Sequence, residues 1–235
     1  MTARTGLVVP AVEPTVLPVI GGGLFPVRRI YCVGRNYVSH IREMQEADER
    51  DPPFFFQKPR DAIVDDGAIV PYPPDTTDFQ YEVELVAAVG KGGRKIDVAV
   101  ALEHVWGYAV GIDLTRRDRQ HDARELRLPW EIGKSFDQSA PCGAIHPASQ
   151  TGHPAAGAIT LAVNGAQQQR GDIKEMIWNV PEIVAQLSRQ VTLQSGDLIF
   201  TGTPAGVGPV GPGDRIEARV EGLGPLTITI GQPED

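Results

Sequence analysis

The chain of 235 residues carries only two cysteines, Cys32 and Cys142, with neither CxxC spacing nor a metal-finger pattern. That excludes a disulfide scaffold and suits a reducing cytoplasm, with each thiol read as a small buried hydrophobe. Basic side chains are in short supply, 22 Lys and Arg against 30 Asp and Glu, for a net charge of −8. Affinity for nucleic-acid phosphates and anionic lipids comes from accumulated Lys and Arg, so neither is an expected partner. A small anion would have to be met locally. Long apolar runs are also missing. Pro10, Pro14 and Pro18 break up the N-terminus, which does not read as a signal peptide, and the uncharged stretch 138–169 is too rich in Gly, Pro, Ser and His for a membrane helix. There is no internal repeat, no GxSxG elbow and no HExxH, which removes solenoids and the common serine-hydrolase and zinc-protease routes.

What is plentiful is glycine, 26 residues, and proline, 20, in a chain otherwise ordinary at 41% hydrophobic and 22% charged residues. One medium domain rich in turns and poor in long helices is expected. Residues 1–23 read as an extended arm. Strands are predicted at 30–33, 54–56, 80–89, 105–112, 197–201, 215–220 and 226–230, and a hairpin at 159–170 turns on Asn164-Gly165. Asn36 is the expected cap of a short helix with Tyr37, Ile41 and Met44 on its buried stripe. Thr115 and Asp118 are the expected capping box of a second helix, and Asn179 with Pro181 and Glu182 opens a third that ends near Gln190. Strands outnumber helices without alternating with them, so the fold class is α+β, mainly β.

Two motif matches are rejected. Gly206 to Gly211 fits GxGxxG, but Pro204, Pro209 and Pro212 forbid the helix that motif needs. Gly133-Lys134-Ser135 resembles the end of a phosphate loop, yet Leu128 stands where its first glycine belongs.

The chemistry-bearing candidates are few. Glu82 and Glu84, at i and i+2 on one face of an otherwise apolar strand, repel each other unless a cation or water intervenes. Asp113 ends a nearly uncharged strand. Were the two strands neighbours, three hard oxygen donors would converge, a donor set suited to Mg²⁺. His40 and Glu43, at i and i+3, place a carboxylate where it can orient an imidazole. Arg117 and Gln120 share a helix face, Lys58 and Lys134 are possible anion anchors, and Thr201 to Pro204 offers hydroxyls and N–H groups. Each signal alone has a bland alternative: a wet strand face, a surface pair, a solvated helix or a turn.

Taken in order, YCVGRNYVSHIREM (31–44), FFFQKP (54–59), YEVEL (81–85), GIDLTRRDRQ (111–120), WEIGKSFD (130–137) and LIFTGTPAGVG (198–208) resemble the fumarylacetoacetate hydrolase family over nearly the whole chain. Within it the chain looks most like the fumarylpyruvate hydrolases of gentisate breakdown, with acylpyruvases and oxaloacetate decarboxylases close behind. The resemblance implies a mixed β-sheet roll over residues 24–235, usually a homodimer, acting on a small anionic dioxo acid. It implies Mg²⁺ or Mn²⁺ on Glu82, Glu84 and Asp113 and a water-activating dyad of His40 and Glu43. Lys134 and Gln120 would stabilise reacting oxygens, and Arg117, Thr203 and Lys58 would bind substrate, with Arg35 and Lys58 meeting its distal carboxylate. Gln80-Tyr81 stand where many members have two histidines. The implied reaction is hydrolysis of a carbon–carbon bond in a 2,4-dioxo acid such as 3-fumarylpyruvate. Decarboxylation of oxaloacetate, acylpyruvate hydrolysis and dienedioate isomerisation use the same triad, whereas a non-catalytic metal-binding role leaves the dyad unexplained.

Overall fold

The computed structural model describes residue 6, residues 8–43 and residues 51–234, with the backbone alone for residues 41–43. The stripe positions Ile41 and Met44 and the carboxylate of Glu43 therefore lie outside the described residues.

Strand residues that alternate between two apolar layers need a core on each side, and this chain supplies both. A six-stranded sheet runs in the order His146–Pro147, Val105–Ile112, Val83–Val89, Asp197–Phe200, Arg29–Gly34, Phe54–Lys58. Its pairs are antiparallel except Asp197–Phe200 against Arg29–Gly34. Tyr31, Leu85, Ala87, Tyr108, Val110 and Ile199 enter the larger core, while Ile30, Cys32, Val86, Ala88, Ala109, Leu198 and Phe200 enter the smaller one. Both faces are buried, which is why these strands read as continuous apolar runs. The larger core is shared with a five-stranded sheet, ordered Ala166–Asp172, Ala158–Val163, Arg215–Val220, Leu226–Gly231, Ile69–Pro71, through Ile159, Leu161, Ile216, Ala218 and Ile228. The fold is α+β and mainly β, as expected.

The Asn164-Gly165 hairpin forms, both residues adopting positive φ (52° and 81°) as a type I′ turn requires. The helix Val180–Gln190 forms with the Asn179–Glu182 capping box and buries Val180, Ile183, Val184 and Leu187. Both cysteines are buried thiols. Among the described residues no helix is long and apolar enough to cross a membrane.

Four local expectations are corrected. The strand expected over 80–89 is broken at Glu82 into Phe79–Tyr81, which pairs with Thr115–Arg116 and Gly208–Pro209 in a separate three-stranded sheet, and Val83–Val89, which lies in the six-stranded one. Thr115 does not cap a helix. Thr115–Arg116 pairs with Phe79–Gln80, the helix runs Arg117–Glu125, and Asp118 instead accepts from Thr76 and from the backbone N–H of Thr77. Asn36 is a long-range staple rather than a helix cap. Its amide donates to the carbonyls of Trp178 (2.9 Å) and Thr201 (2.7 Å) and accepts from the Trp178 N–H (2.8 Å). The segment read as an arm joins the fold in its second half, where Val16–Pro18 pairs with Leu24–Pro26 and Leu17 is fully buried in the smaller core.

Candidate active site

Register places the acidic residues. Val83 pairs with Ile112 and Glu84 with Gly111, so the chain leaving the strand at Asp113 lies opposite Glu82. The carboxylates of Glu82, Glu84 and Asp113 each offer an oxygen within 4.8 Å of the others, and all three residues are buried. They line a cavity of about 410 Å³ together with His40, Arg35, Arg117, Gln120, Lys134 and Thr203. The sequence candidates thus converge on one place, apart from Glu43, whose side chain is not described, and Lys58.

The cations are shared unequally among the carboxylates. Lys134 Nζ donates to Glu82 (2.9 Å), Asp113 (3.0 Å) and Thr115 Oγ1 (2.7 Å). Arg117 donates to Glu82, to Gln120 Oε1 (2.5 Å) and to Gln80 Oε1 (2.9 Å). Among the described residues Glu84 accepts only from the Gly202 N–H (2.7 Å). The pKa directions follow. Burial alone would raise Glu82, but the adjacent Lys134 ammonium and Arg117 guanidinium hold it well below the usual carboxylate range. Burial pushes Glu84 well above that range, and the neighbouring Asp113 and Glu82 push the same way.

This is the electrostatic profile of a site short of a cation. Three hard oxygen donors, one of them without an ion-pair partner among the described residues, fit a divalent ion that prefers oxygen, and no His or Cys stands in the set.

Lys58 corrects an expectation. Its fully buried ammonium lies 2.9 Å from Asp113 Oδ1 and donates to the carbonyls of Leu114 (3.0 Å) and Lys134. Fully buried and outside the cavity lining, it is not placed to meet a distal carboxylate, and it anchors Asp113 instead. Lys134 is committed likewise, so any bond it makes to a reacting oxygen requires release of a carboxylate or of Thr115. Gln80 orients Arg117 while donating to Asp78 (2.9 Å).

Two glycines make the approach possible. Gly133 packs its Cα on Gln120, where a Cβ would fall 2.7 Å from backbone, so the short helix Glu131–Lys134 can bring Lys134 beneath the helix carrying Gln120. Gly202, at φ +97°, turns its N–H to Glu84 against Asn36, whose Cβ an added side chain would meet at 2.7 Å. Arg35, at φ 60°, holds a strained left-handed conformation at the strand's exit, with its guanidinium 5.8 Å from the Phe54 ring centre.

The sequence reading missed His121 and Arg124, which also line the cavity. The signal was present, since Arg117, Gln120, His121 and Arg124 follow i, i+3, i+4, i+7 on one helix.

Residues 29–231 match the profile described as fumarylacetoacetate (FAA) hydrolase C-terminal. The chain belongs to the fumarylacetoacetate hydrolase family. It is 46% identical over 181 residues to the fumarylpyruvate hydrolase of a Ralstonia species, covering 77% of this chain and 94% of that protein. It is 40% identical over 207 residues to the mitochondrial oxaloacetate tautomerase of Homo sapiens, covering 88% of this chain and 93% of that one. Among solved structures it superposes on a fumarylpyruvate hydrolase from Pseudomonas aeruginosa in complex with Mn²⁺ and pyruvate, with TM-score 0.95 and 51% identity, covering 97% of this chain and 100% of that chain. This family member is an enzyme, a hydrolase acting on carbon–carbon bonds.

Proposed function

We propose that the enzyme hydrolyses 3-fumarylpyruvate to fumarate and pyruvate. The observation that carries this reading is the buried Glu82–Glu84–Asp113 triad, one carboxylate lacking a cation, facing a cavity that also holds His40 and a rim of arginines. Kinship with fumarylpyruvate hydrolases, one of them solved with Mn²⁺ and pyruvate, supports it. In this reading Glu82, Glu84 and Asp113 hold Mg²⁺ or Mn²⁺. Such an ion supplies Lewis-acid stabilisation of negative charge on substrate oxygens.

The chain's own residues supply the rest. His40, with Glu43 one helical turn along, takes a proton from water, and the resulting hydroxide adds to the 4-carbonyl carbon. The C3–C4 bond then breaks, its electrons passing to the pyruvate fragment, which is protonated at C3. The Gln120 amide oxygen is occupied by Arg117, which leaves its NH₂ as the end that can donate to a reacting oxygen. Arg117 and Thr203 orient the substrate from either side of the triad. We place this activity in gentisate-type aromatic degradation, in the cytoplasm, in a homodimer whose catalytic domain spans residues 24–235.

The second reading, oxaloacetate as substrate, is favoured by the mitochondrial oxaloacetate tautomerase. The test follows loss of the fumarylpyruvate enol absorbance with Mg²⁺ or Mn²⁺, with and without chelator, beside pyruvate release from acetylpyruvate and oxaloacetate. Chelator-sensitive turnover, fastest on fumarylpyruvate, is expected. Turnover no faster than that of acetylpyruvate or oxaloacetate overturns the assignment.

A further inference from the structure

Gln169 is fully buried in a strand, Ala166–Asp172, whose other side chains in the run Gln167 to Arg170 face solvent. A bulge aims it inward. Leu161 pairs with Gln169 but Ala162 with Gln167, so Gln168 is the extra residue. The carbonyl of Gln168 is closely covered by Gly206, where a Cβ would stand 2.3 Å away.

The Gln169 amide spans two parts of the active site. Its Oε1 accepts from the Val83 N–H (3.0 Å), between Glu82 and Glu84, and its Nε2 donates to Thr203 Oγ1 and to the Pro204 carbonyl (both 2.8 Å). Its orientation is unambiguous, because a backbone N–H can only donate and a carbonyl can only accept. Both amide hydrogens are therefore assigned, and the Thr203 oxygen is an acceptor. The Thr203 hydroxyl hydrogen is left to point elsewhere, and Thr203 lines the cavity.

We infer that Gln169 is a positioning residue that fixes Thr203 as a hydrogen-bond donor toward the substrate, selecting an oxygen acceptor such as a carboxylate or carbonyl at that point. This rests on the reading that Thr203 faces substrate. Gln169→Glu keeps the acceptor for Val83 but replaces the NH₂ with a second acceptor, which draws the Thr203 hydrogen inward.

The experiment is a double-mutant cycle of Gln169→Glu and Thr203→Val, with KM and kcat measured on fumarylpyruvate at saturating Mn²⁺. It is run in parallel with Gln169→Leu, an apolar replacement suited to a buried position. Each single variant should raise KM about ten- to a hundredfold, the scale of a hydrogen bond to a charged group, with kcat changed much less. The double variant should be no worse than Thr203→Val alone. Additive effects on KM, or a loss confined to kcat, overturn the role of Gln169 while Thr203 remains a substrate contact. An unchanged KM in Thr203→Val overturns the underlying placement of Thr203, and the inference with it.

Discussion

Glu82 and Glu84 stand two residues apart in one buried run, yet their carboxyls are driven in opposite directions. Glu82 is gripped by Lys134 and Arg117 and kept ionised, whereas Glu84, which among the described residues accepts only from the Gly202 N–H, is pushed toward its neutral form. A carboxylate that no cation among the described residues pairs with is costly alone and useful with a metal.

Glu84→Gln removes that cost while retaining an oxygen for Gly202. The metal-free protein should therefore melt higher than the parent, and its affinity for Mn²⁺ should fall by about tenfold or more, on the scale of altered metal-site partners. Thermal melts in EDTA and a calorimetric titration read the two effects. A lower melting temperature in EDTA would contradict the electrostatic account.

The pH dependence has a definite sign. With its folded pKa raised, Glu84 destabilises the metal-free fold as pH rises above the ordinary carboxylate range, because the unfolded chain ionises first. Glu82, lowered, acts oppositely and loses its contribution as pH falls through its folded pKa. The stability gap between Glu84→Gln and the parent should thus vanish below about pH 4 and widen toward neutrality. Mn²⁺ uptake near neutral pH should release protons, measurable as calorimetric heats that differ between buffers of unlike ionisation enthalpy.

Lys58→Met leaves Asp113 without one of its two buried cations. Removing one partner of a buried pair costs about 3–5 kcal/mol, and urea denaturation should show a loss on that scale. A divalent ion, by neutralising Asp113, should recover part of it.

His40→Ala should lower kcat by about 10²- to 10⁴-fold, the usual worth of a positioned general base, with Mn²⁺ affinity nearly unchanged. Normal turnover would end the proposed role. The helix Val38–Glu43 that carries His40 starts three residues after Arg35, and both residues line the cavity.

Arg35 and Arg124 reach the cavity from different elements and are the cations suited to a second carboxylate. Arg35→Ala and Arg124→Ala should raise KM for fumarylpyruvate, a dianion, about tenfold while moving that for the monoanion acetylpyruvate little. Equal effects on both substrates would deny them a part in specificity.

The strands 105–112 and 215–220, the Asn164-Gly165 hairpin and the Asn179-capped helix were legible in the sequence because each rests on local chemistry: apolar runs, positive φ and a capping box. The triad was legible as residue types, since carboxylates are rare in buried strands. What sequence could not supply was partnership. Lys58 reads as a surface anchor until the fold places it on Asp113, 55 positions later in the chain. Asn36 has a cap's chemistry, and only the approach of residues 178 and 201 makes it a staple. Gln169 was invisible because a single bulge reverses its face, and nothing in QQQR marks which glutamine turns inward.

The strand Asp197–Phe200 lies in the middle of the six-stranded sheet, between Val83–Val89 and Arg29–Gly34, although it follows both of them distantly in sequence. Without it, the strand leading to His40 and the strand pair that bears the triad share no hydrogen-bonded edge in this sheet. A parallel pairing on one of its edges and an antiparallel pairing on the other bring His40 and the carboxylates to a common cavity. The cavity that holds His40 and the three carboxylates thus depends on a pairing between segments far apart in sequence, a topology whose long-range closure slows folding.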